Sequence, residues 1–309
     1  MKRNHLVRAC VWCMLVLASF PLSAATDPVL DRSGDYGKFI VYFLHLGRTS
    51  STKKSNHGDC ELLISPDGKV MMVDCGAPVQ GRYVVETLEA LGIDHIDYFV
   101  NSHRHHDHLG GFSQVADHAK IDRVFVGPME GYTGKYSMQM DQRCEADGIV
   151  QTKIGDGDSF MFGRDIEVSV YHPSKTAVDS TYTTEELNNS SLALKFSYGN
   201  TTVLLCGDLY MEGEQELLDA HSDEIRDIDV AKANHHGLWT SNQSLWIKTI
   251  NPTYCVSVSD ILSDLGVMNR YKQQGTIFRQ TVFNGIVKFS MDANDGITML
   301  CQHAFSLDN

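Results

Sequence analysis

Residues 101–112 read NSHRHHDHLGGF and place four of the chain's fourteen histidines within six positions. Crowded imidazoles repel one another when charged and are costly to bury without partners, so a globular domain has little structural reason to gather them. His103 and His105 are two residues apart, and in an extended segment their rings point to the same side. Asp107 and His108 follow, where a pair of glycines favours a turn into a helix. The spacing therefore predicts two nitrogen ligands for one metal ion, and a carboxylate with a further nitrogen for a second.

Two later segments each end an apolar run with side chains that can bind metal. Residues 204–208 read LLCGD, an apolar strand that ends in Asp208. Residues 230–237 read VAKANHHG, a strand that ends in the adjacent His235 and His236. Active sites usually lie on loops at strand ends, above a rigid core. Each motif alone is equally consistent with a helix cap or a surface histidine, but the three in this order favour a metal centre.

The elements that must position these residues can be predicted from the hydrophobic pattern. A β-rich run at 39–46 precedes a hairpin of 60–65 and 70–74, and apolar spacing predicts a helix at 84–91. A strand at 96–101 ends where the histidines begin. Further strands are predicted at 121–126, 166–171, 192–198, 202–206, 228–233, 253–258 and 286–291, and further helices at 110–118, 212–220 and 244–250. Two packed sheets with helices outside would bury this pattern, so we predict one α/β (α+β) domain over residues 26–309.

The first 25 residues have the pattern of a signal peptide. Lys2, Arg3 and Arg8 precede the apolar run ACVWCMLVLASF, and small residues then allow cleavage after Ala25. The apolar run is too short for a comfortable membrane span, so we predict cleavage and export to the periplasm or beyond, with an uncleaved anchor as the alternative. No stable membrane span would remain after cleavage.

The net charge bears on the partners of the exported chain. The whole chain carries −13, and loss of three basic residues with the signal leaves −16. This balance disfavours a broad electrostatic grip on nucleic acid, although a local patch or a bound metal ion can still attract phosphate. A phosphoester or another small molecule is therefore the expected substrate, and nucleic acid is a less favoured partner.

Six cysteines would remain in the mature chain. They are scattered without a C-x-x-C pair, which disfavours a cysteine-based zinc site. Cys60 and Cys75 flank the predicted hairpin and lie opposite each other in its simplest register. Either a disulfide or two buried free thiols is expected there, because the register can slip by one residue.

The three motifs together resemble the metallo-β-lactamase superfamily of hydrolases. The matching residues are the H-x-H-x-D-H cluster at 103–108, Gly207-Asp208 and His235-His236-Gly237. The resemblance extends from residue 39 to about 301 and implies a four-layer αβ/βα sandwich with a one- or two-metal site at the edge between the sheets. Gly58-Asp59 and the N-x-S-L segment at 189–192 are similar to the hydrolase domain of bacterial DNA-uptake channel proteins. The segments at 234–236, 251–252 and 257–260 also resemble secreted phosphorylcholine esterases.

The resemblance implies a role for each motif residue. His103 and His105 would bind one metal ion, Asp107, His108 and His235 the other, and Asp208 would bridge them. Two divalent ions are expected, Zn²⁺ by default, with Mn²⁺ or Fe²⁺ as alternatives. Asp107 would also orient the nucleophile, and His236 would support the centre or donate a proton to the leaving group. The sequence does not decide which of the two adjacent histidines binds metal.

One position departs from the superfamily's usual pattern. Many members have a further metal-binding histidine where this chain has Asn-Asn-Ser-Ser at 188–191. The metal ion at His103 and His105 would then be less saturated by protein. His172, upstream and followed by a proline, is interpreted as a turn residue.

These features predict an exported metal-dependent hydrolase, with a phosphodiesterase that uses a metal-activated hydroxide as the first choice. Three alternatives stay open: a nuclease related to the DNA-uptake proteins, a β-lactam or lactone hydrolase, and a non-catalytic, metal-stabilised binding module. The missing histidine disfavours the β-lactam alternative, and the two aspartates Asp107 and Asp208 disfavour a module without turnover. Trp239 is a candidate either for the substrate pocket or for core packing.

Overall fold

The computed structural model describes residues 27–47, 58–129, 131–174, 182–294 and 296–305. The predicted signal peptide lies outside these residues. In the part of the chain that is described, no helix is both long and apolar enough to cross a membrane. The assignment of residues 26–309 to a single domain stays a prediction.

The described residues form two β-sheets. The first sheet has the spatial order β15-β14-β1-β2-β3-β4-β5-β6 and the second the order β13-β12-β11-β10-β9-β8-β7. The strands of the first sheet are β1 (Phe39–Phe43), β2 (Glu61–Ile64), β3 (Val70–Val73), β4 (His95–Asn101), β5 (Lys120–Val126), β6 (Val150–Lys153), β14 (Val287–Met291) and β15 (Ile297–Cys301). Those of the second are β7 (Ser159–Phe162), β8 (Ile166–His172), β9 (Ala193–Tyr198), β10 (Thr201–Leu205), β11 (Val230–Lys232), β12 (Tyr254–Ser257) and β13 (Ile277–Gln280).

Nine helices lie between the strands in the described part of the chain, and most of them connect parallel neighbours. They are α1 (Gly81–Leu91), α2 (His106–Leu109), α3 (Phe112–His118), α4 (Lys135–Asp147), α5 (Thr184–Asn188), α6 (Met211–His221), α7 (Ser244–Ile250), α8 (Leu265–Gln273) and α9 (Thr281–Asn284). Strands β3 to β6 run parallel, as do β10 to β13. Parallel neighbours need crossover connections, and side chains at their carboxyl ends meet at one edge of the sheet.

Alternate residues of the strands face different apolar cores. In β1, Phe39, Val41 and Phe43 pack between the two sheets, whereas Ile40 and Tyr42 pack with α1 and α3 on the outer face of the first sheet. A third cluster joins the outer face of the second sheet to α6, α7 and α8. Three cores between four layers make the αβ/βα sandwich, which confirms the predicted fold.

The predicted helix at 110–118 is present as α3 and begins two residues later, and a separate short helix, α2, precedes it. Helix α2 ends at Leu109 and α3 begins at Phe112, with a glycine pair between them. A Cβ at Gly110 would clash with Pro78, and one at Gly111 with the carbonyl oxygen of Cys75. These glycines therefore allow the histidine segment to pack closely on the chain that follows β3.

The hairpin at 60–74 is confirmed, and it carries two free thiols in place of a disulfide. The register pairs Glu61 with Val73, one residue away from the register that would place Cys60 opposite Cys75. Both cysteines are buried and unbonded. Burial raises the pKa of each thiol well above its usual value, so both are unreactive at neutral pH.

Candidate metal centre

The predicted ligands converge at the edge where strands of both sheets end. His103 follows β4, and His108 lies on the short α2. Asp208 follows β10, and His236 lies in a 3₁₀ turn after β11. The sandwich thus brings together residues more than 100 positions apart, because the carboxyl ends of β4, β10 and β11 face the same edge.

Asp107, His108, Asp208 and His236 form a group in which one potential ligand atom of each lies within 4.8 Å of the others. Asp208 is its centre. Its Oδ2 lies 3.0 Å from Nε2 of His108 and 3.1 Å from Nε2 of His236. The Oδ2 of Asp107 lies 3.9 Å from Nε2 of His236. Two carboxylates and two imidazoles in this arrangement suit a divalent transition metal ion.

A second pair of nitrogens lies beside this group. Nε2 of His103 and Nδ1 of His105 are 2.9 Å apart, and the rings of His103 and His108 are 4.1 Å apart between centroids. The structure therefore brings together the histidine pair and the carboxylate-containing group as the spacing of the motif predicts.

The structure distinguishes the two adjacent histidines that the sequence left undecided. His236 belongs to the four-residue group, whereas Nε2 of His235 lies 3.9 Å from Oδ2 of Asp208. The Nδ1 of His235 instead contacts the hydroxyl of Thr240. His235, the predicted ligand, thus lies at the margin of this group, and His236 lies within it.

The backbone of this turn is strained. His235 and His236 have φ values of 45° and 57°, in the left-handed region that non-glycine residues avoid, and Gly237 continues it. Such conformations persist only where the surroundings enforce them, and they concentrate at functional sites. Hydrogen bonds to Glu214 help to hold the turn in this conformation. The Glu214 carboxylate accepts hydrogen bonds from the side chain of Asn234 and from the backbone N–H of residue 242.

Buried carboxylates lie beside the second ring nitrogen, Nδ1, of His108 and of His236. Nδ1 of His108 lies 2.7 Å from Oδ2 of Asp74. Nδ1 of His236 lies 3.0 Å from the backbone oxygen of Val258, its hydrogen-bond partner, and 3.2 Å from Oδ1 of Asp59. Carboxylates that bind the second nitrogen of a metal-binding histidine set its tautomer and orientation. The sequence analysis missed Asp74, although the apolar strand that it ends (MMVDCG) has the same form as the one that ends in Asp208.

The electrostatics of the centre are dominated by these contacts. Burial raises the pKa of the Asp208 carboxyl, but His108 and His236 outweigh burial and hold that pKa well below its usual range. Burial likewise lowers the pKa of His236, whereas Asp208 and Asp59 raise it to a net value of about 10. In this arrangement the imidazoles supply the positive charge beside Asp208 that a bound metal cation would otherwise supply. No described residue hydrogen-bonds the buried Oδ1 of Asp208, which further fits a site built for positive charge.

Other candidates from the sequence have ordinary roles. Arg104, within the histidine motif, forms an ion pair with Asp141 at 3.0 Å. His172 hydrogen-bonds the backbone oxygen of Ser191 through Nδ1 and precedes a cis-proline. Trp239 is 68% exposed, so the core-packing alternative for it is wrong.

One cavity lies away from this centre. It measures about 820 Å³ and lies at the β2–β3 turn, the end of the hairpin opposite to Asp59 and Asp74. A smaller cavity of about 280 Å³ borders His105 and is lined also by His106, Tyr132 and Tyr136. The smaller cavity is the one next to the candidate ligands.

The fold and the site define a metal-dependent hydrolase-like protein. The family model described as "Metallo-beta-lactamase superfamily" matches residues 62–254, more than half of the chain. The chain therefore belongs to this superfamily.

Two curated relatives agree with the DNA-uptake branch of the resemblance. The chain is 25% identical over 238 residues to the competence protein ComA of Neisseria gonorrhoeae, covering 74% of this chain and 30% of that protein. It is 28% identical over 171 residues to the ComE operon protein 3 of Bacillus subtilis (strain 168), covering 55% of this chain and 21% of that protein. The chain therefore spans less than a third of the length of either relative.

A solved structure supports the fold. CmlA, a diiron β-hydroxylase from Streptomyces venezuelae, is 12% identical, with a TM-score of 0.52 over 83% of this chain and 54% of that one. Likeness at this level of identity concerns the fold alone.

Proposed function

We propose that this protein is an exported phosphodiesterase with a two-metal centre. The observation that carries the proposal is the position of Asp208, whose Oδ2 contacts both His108 and His236 beside the pair formed by His103 and His105. A carboxylate that contacts one set of imidazoles, with a second pair of imidazoles beside that set, is where we expect a bridging ligand.

The residues present fit two divalent ions. His103 and His105 would hold one, Asp107, His108 and His236 the other, and Asp208 would contact both. When bound, two such ions acidify a water between them and polarise a phosphoryl oxygen. Zn²⁺ suits the imidazole-rich set, with Mn²⁺ or Fe²⁺ as alternatives.

Two side chains at the centre are open to a substrate. The side chains of Asp107 and His235 are 19% and 16% exposed, whereas those of His108, Asp208 and His236 are at most 3% exposed. We assign Asp107 to orienting the attacking water, which needs a carboxylate acceptor beside the ligands. Burial lowers the pKa of His235 to about 4, so its neutral imidazole can hydrogen-bond a substrate oxygen but is a poor acid at pH 7. From sequence, His236 was expected to support the centre or to donate a proton to the leaving group; we propose instead that His236 is a ligand and that His235 contacts the substrate.

A phosphodiester fits this centre better than an uncharged substrate. A phosphodiester is an anion with two oxygens that cations can clamp, and charge develops on those oxygens in the transition state. The cavity beside His105 offers room for one of its substituents. A nuclease is the second candidate, because one curated relative is named as a competence protein, in line with the resemblance to DNA-uptake proteins. The charge of −16 after removal of residues 1–25 argues against strong binding of a long polyanion.

A substrate panel tests the proposal. Mature protein is reconstituted with Zn²⁺ or Mn²⁺ and assayed with bis(p-nitrophenyl) phosphate, p-nitrophenyl phosphorylcholine, single-stranded DNA and nitrocefin. We expect hydrolysis of the diesters. Cleavage of DNA in preference to small diesters would favour the nuclease, and cleavage of nitrocefin alone would favour a β-lactam hydrolase. Metal-loaded protein that hydrolyses none of them would favour the binding module.

Export is tested separately. Expression of the full chain in a bacterial host, followed by N-terminal sequencing of the periplasmic form, should give a sequence that begins at Thr26. Full-length protein retained in the membrane would support the uncleaved anchor.

A further inference from the structure

The segment at 188–191 stands between α5 and β9, where the superfamily resemblance leads one to expect a histidine. Two of its four polar residues tie it to the strand end that carries Asp208. The Oδ1 of Asn189 accepts hydrogen bonds from the backbone N–H groups of Tyr210 and Gly213, at 3.1 and 3.2 Å. The Oγ of Ser191 accepts one from the backbone N–H of Asp208, at 3.1 Å.

A third residue of the segment closes the end of α5. The hydroxyl of Ser190 donates to the backbone oxygen of Leu187 at 2.6 Å. These three side chains therefore have structural roles that account for their polar atoms. They also hold residue 188 in a defined position beside the metal centre.

Asn188 differs from its three neighbours. Its side chain is buried, with 1% of the residue exposed, and lies against the imidazole of His105 and the hydroxyl of Tyr210. Among the described residues, no donor reaches the Oδ1 of this amide at hydrogen-bond distance and angle, and its contact with the His105 imidazole falls short of a well-formed hydrogen bond. An unsatisfied buried amide oxygen costs about 1–3 kcal/mol, so its presence next to a candidate ligand calls for a partner.

The neighbouring nitrogens indicate what that partner is. Nε2 of His103 and Nδ1 of His105 converge to 2.9 Å, which gives two electron pairs for one cation. A third oxygen donor beside His105 would complete three protein ligands at that position. Asparagine carbonyl oxygens are established ligands of divalent cations.

We propose that the amide oxygen of Asn188 is the third protein ligand of the metal ion held by His103 and His105. It takes the place of the histidine that many superfamily members have. The inference rests on the metal assignment of the proposed function but does not depend on the substrate.

The ligand type has two consequences. Oxygen is a harder ligand than imidazole, so exchange of histidine for asparagine lowers the preference of this position for Zn²⁺ relative to Mn²⁺. In addition, His103, His105 and Asn188 are all neutral as ligands, and only Asp208 would offset the charge of the ion. Because little of its positive charge is neutralised by the ligands, an ion held in this way would attract an anionic substrate oxygen more strongly.

Metal binding by Asn188→Ala and Asn188→His tests the inference. Total metal is measured by mass spectrometry after dialysis, and affinities for Zn²⁺ and Mn²⁺ by competition with a chelator. We expect wild type to bind two equivalents. Asn188→Ala should lose one, with an affinity at that position at least ~100-fold weaker, as for loss of a direct contact. Asn188→His should keep two and bind Zn²⁺ at least ~10-fold more tightly relative to Mn²⁺ than wild type does.

Two controls separate ligation from a structural role. Asn189→Ala removes the neighbouring amide that holds the segment, and it should keep two equivalents once folded. In chelator, metal-free Asn188→Ala should be at least as stable to urea as metal-free wild type, because the variant lacks the unsatisfied oxygen. A purely structural Asn188 would instead destabilise the metal-free protein when removed.

The outcomes distinguish failure of the Asn188 ligand inference from failure of the metal assignment. If Asn188→Ala keeps two equivalents with wild-type affinities, the ligand inference is overturned and the two-metal proposal stands. If wild type itself binds neither cation, the metal assignment fails as well. Equal loss of metal in the Asn188 and Asn189 variants would also overturn the inference, since it would show a defect of the segment.

Discussion

The ammonium of Lys232 lies 2.5 Å from Oδ2 of Asp59, and both side chains are buried next to the metal centre. The same Nζ donates to the backbone oxygen of Gly207 at 2.7 Å and lies 3.7 Å from Oδ1 of Asp208. Burial lowers the pKa of this lysine, but Asp59 and Asp208 outweigh it and hold the pKa above its usual value. One permanent cation therefore joins β11 to the segment before β2 and to the end of β10.

Replacement of this lysine should destabilise the protein strongly. Lys232→Met keeps the length of the side chain but leaves Asp59 buried with less compensating charge. Loss of one partner of a buried ion pair typically costs about 3–5 kcal/mol. Urea unfolding in the presence of chelator should show a loss of this size in the free energy of unfolding.

The matched controls for this prediction are Lys120→Met and a double variant. Lys120 pairs with Asp122 on the surface, so its replacement should change stability by no more than ~1 kcal/mol. Asp59→Asn combined with Lys232→Met should be more stable than the sum of the single changes predicts, because no unpaired charge remains. A Lys232→Met protein as stable as wild type would contradict the assignment of Lys232 as a structural cation.

Asp208→Ala should remove metal and turnover together. The carboxylate contacts His108 and His236, which belong to one metal position, and we propose that it also binds the ion at His103 and His105, so its loss should affect both positions. We expect activity on diesters to fall at least ~1,000-fold, about 4 kcal/mol in transition-state stabilisation. Asp223→Ala, which changes an exposed carboxylate on the surface, serves as the control. Full metal content with full activity in Asp208→Ala would refute the bridging role.

The two adjacent histidines should respond differently to removal. His236→Ala should lose at least one equivalent of metal, because its Nε2 belongs to the four-residue group. His235→Ala should retain the metal and lose ~10- to 100-fold in activity through its contact with substrate. Metal analysis and steady-state kinetics on the two purified variants check this difference. The reverse result would restore His235 as the ligand.

Glu214 should make stability depend on pH in a defined direction. Burial raises its pKa from 4.5 to about 7, so the folded protein binds this proton more tightly than the unfolded chain does. The stability contributed by the proton is fully present below pH 4.5 and is lost as the pH rises through 7. The free energy of unfolding of wild type minus that of Glu214→Gln should therefore fall by ~2–3 kcal/mol between pH 5 and pH 8 in chelator. Urea titrations at the two pH values measure it, and a difference independent of pH would contradict the raised pKa.

Much of the fold could be predicted because its signals are local. The hydrophobic pattern predicted β8 and α7 to within a residue or so and the hairpin of β2 and β3. It missed α4, whose composition is strongly polar, and the short β6, β7, β13 and β15. Short or polar elements depend on tertiary packing more than on their own pattern, so single-sequence periodicity does not predict them.

The chain's own sequence determined the kind of chemistry, because H-x-H-x-D-H spacing sets the directions of neighbouring ligands within a few residues and the acid of LLCGD ends a strand. The sequence did not determine whether His235 or His236 faces the candidate metal centre. That choice depends on the left-handed turn at 235–237, which is held by Glu214 and by contacts with distant strands. The pairing of Asp59 with Lys232 and the free state of Cys60 and Cys75 were likewise decided only in the tertiary structure. Partners far apart in sequence meet through sheet order and strand register, which no local pattern specifies.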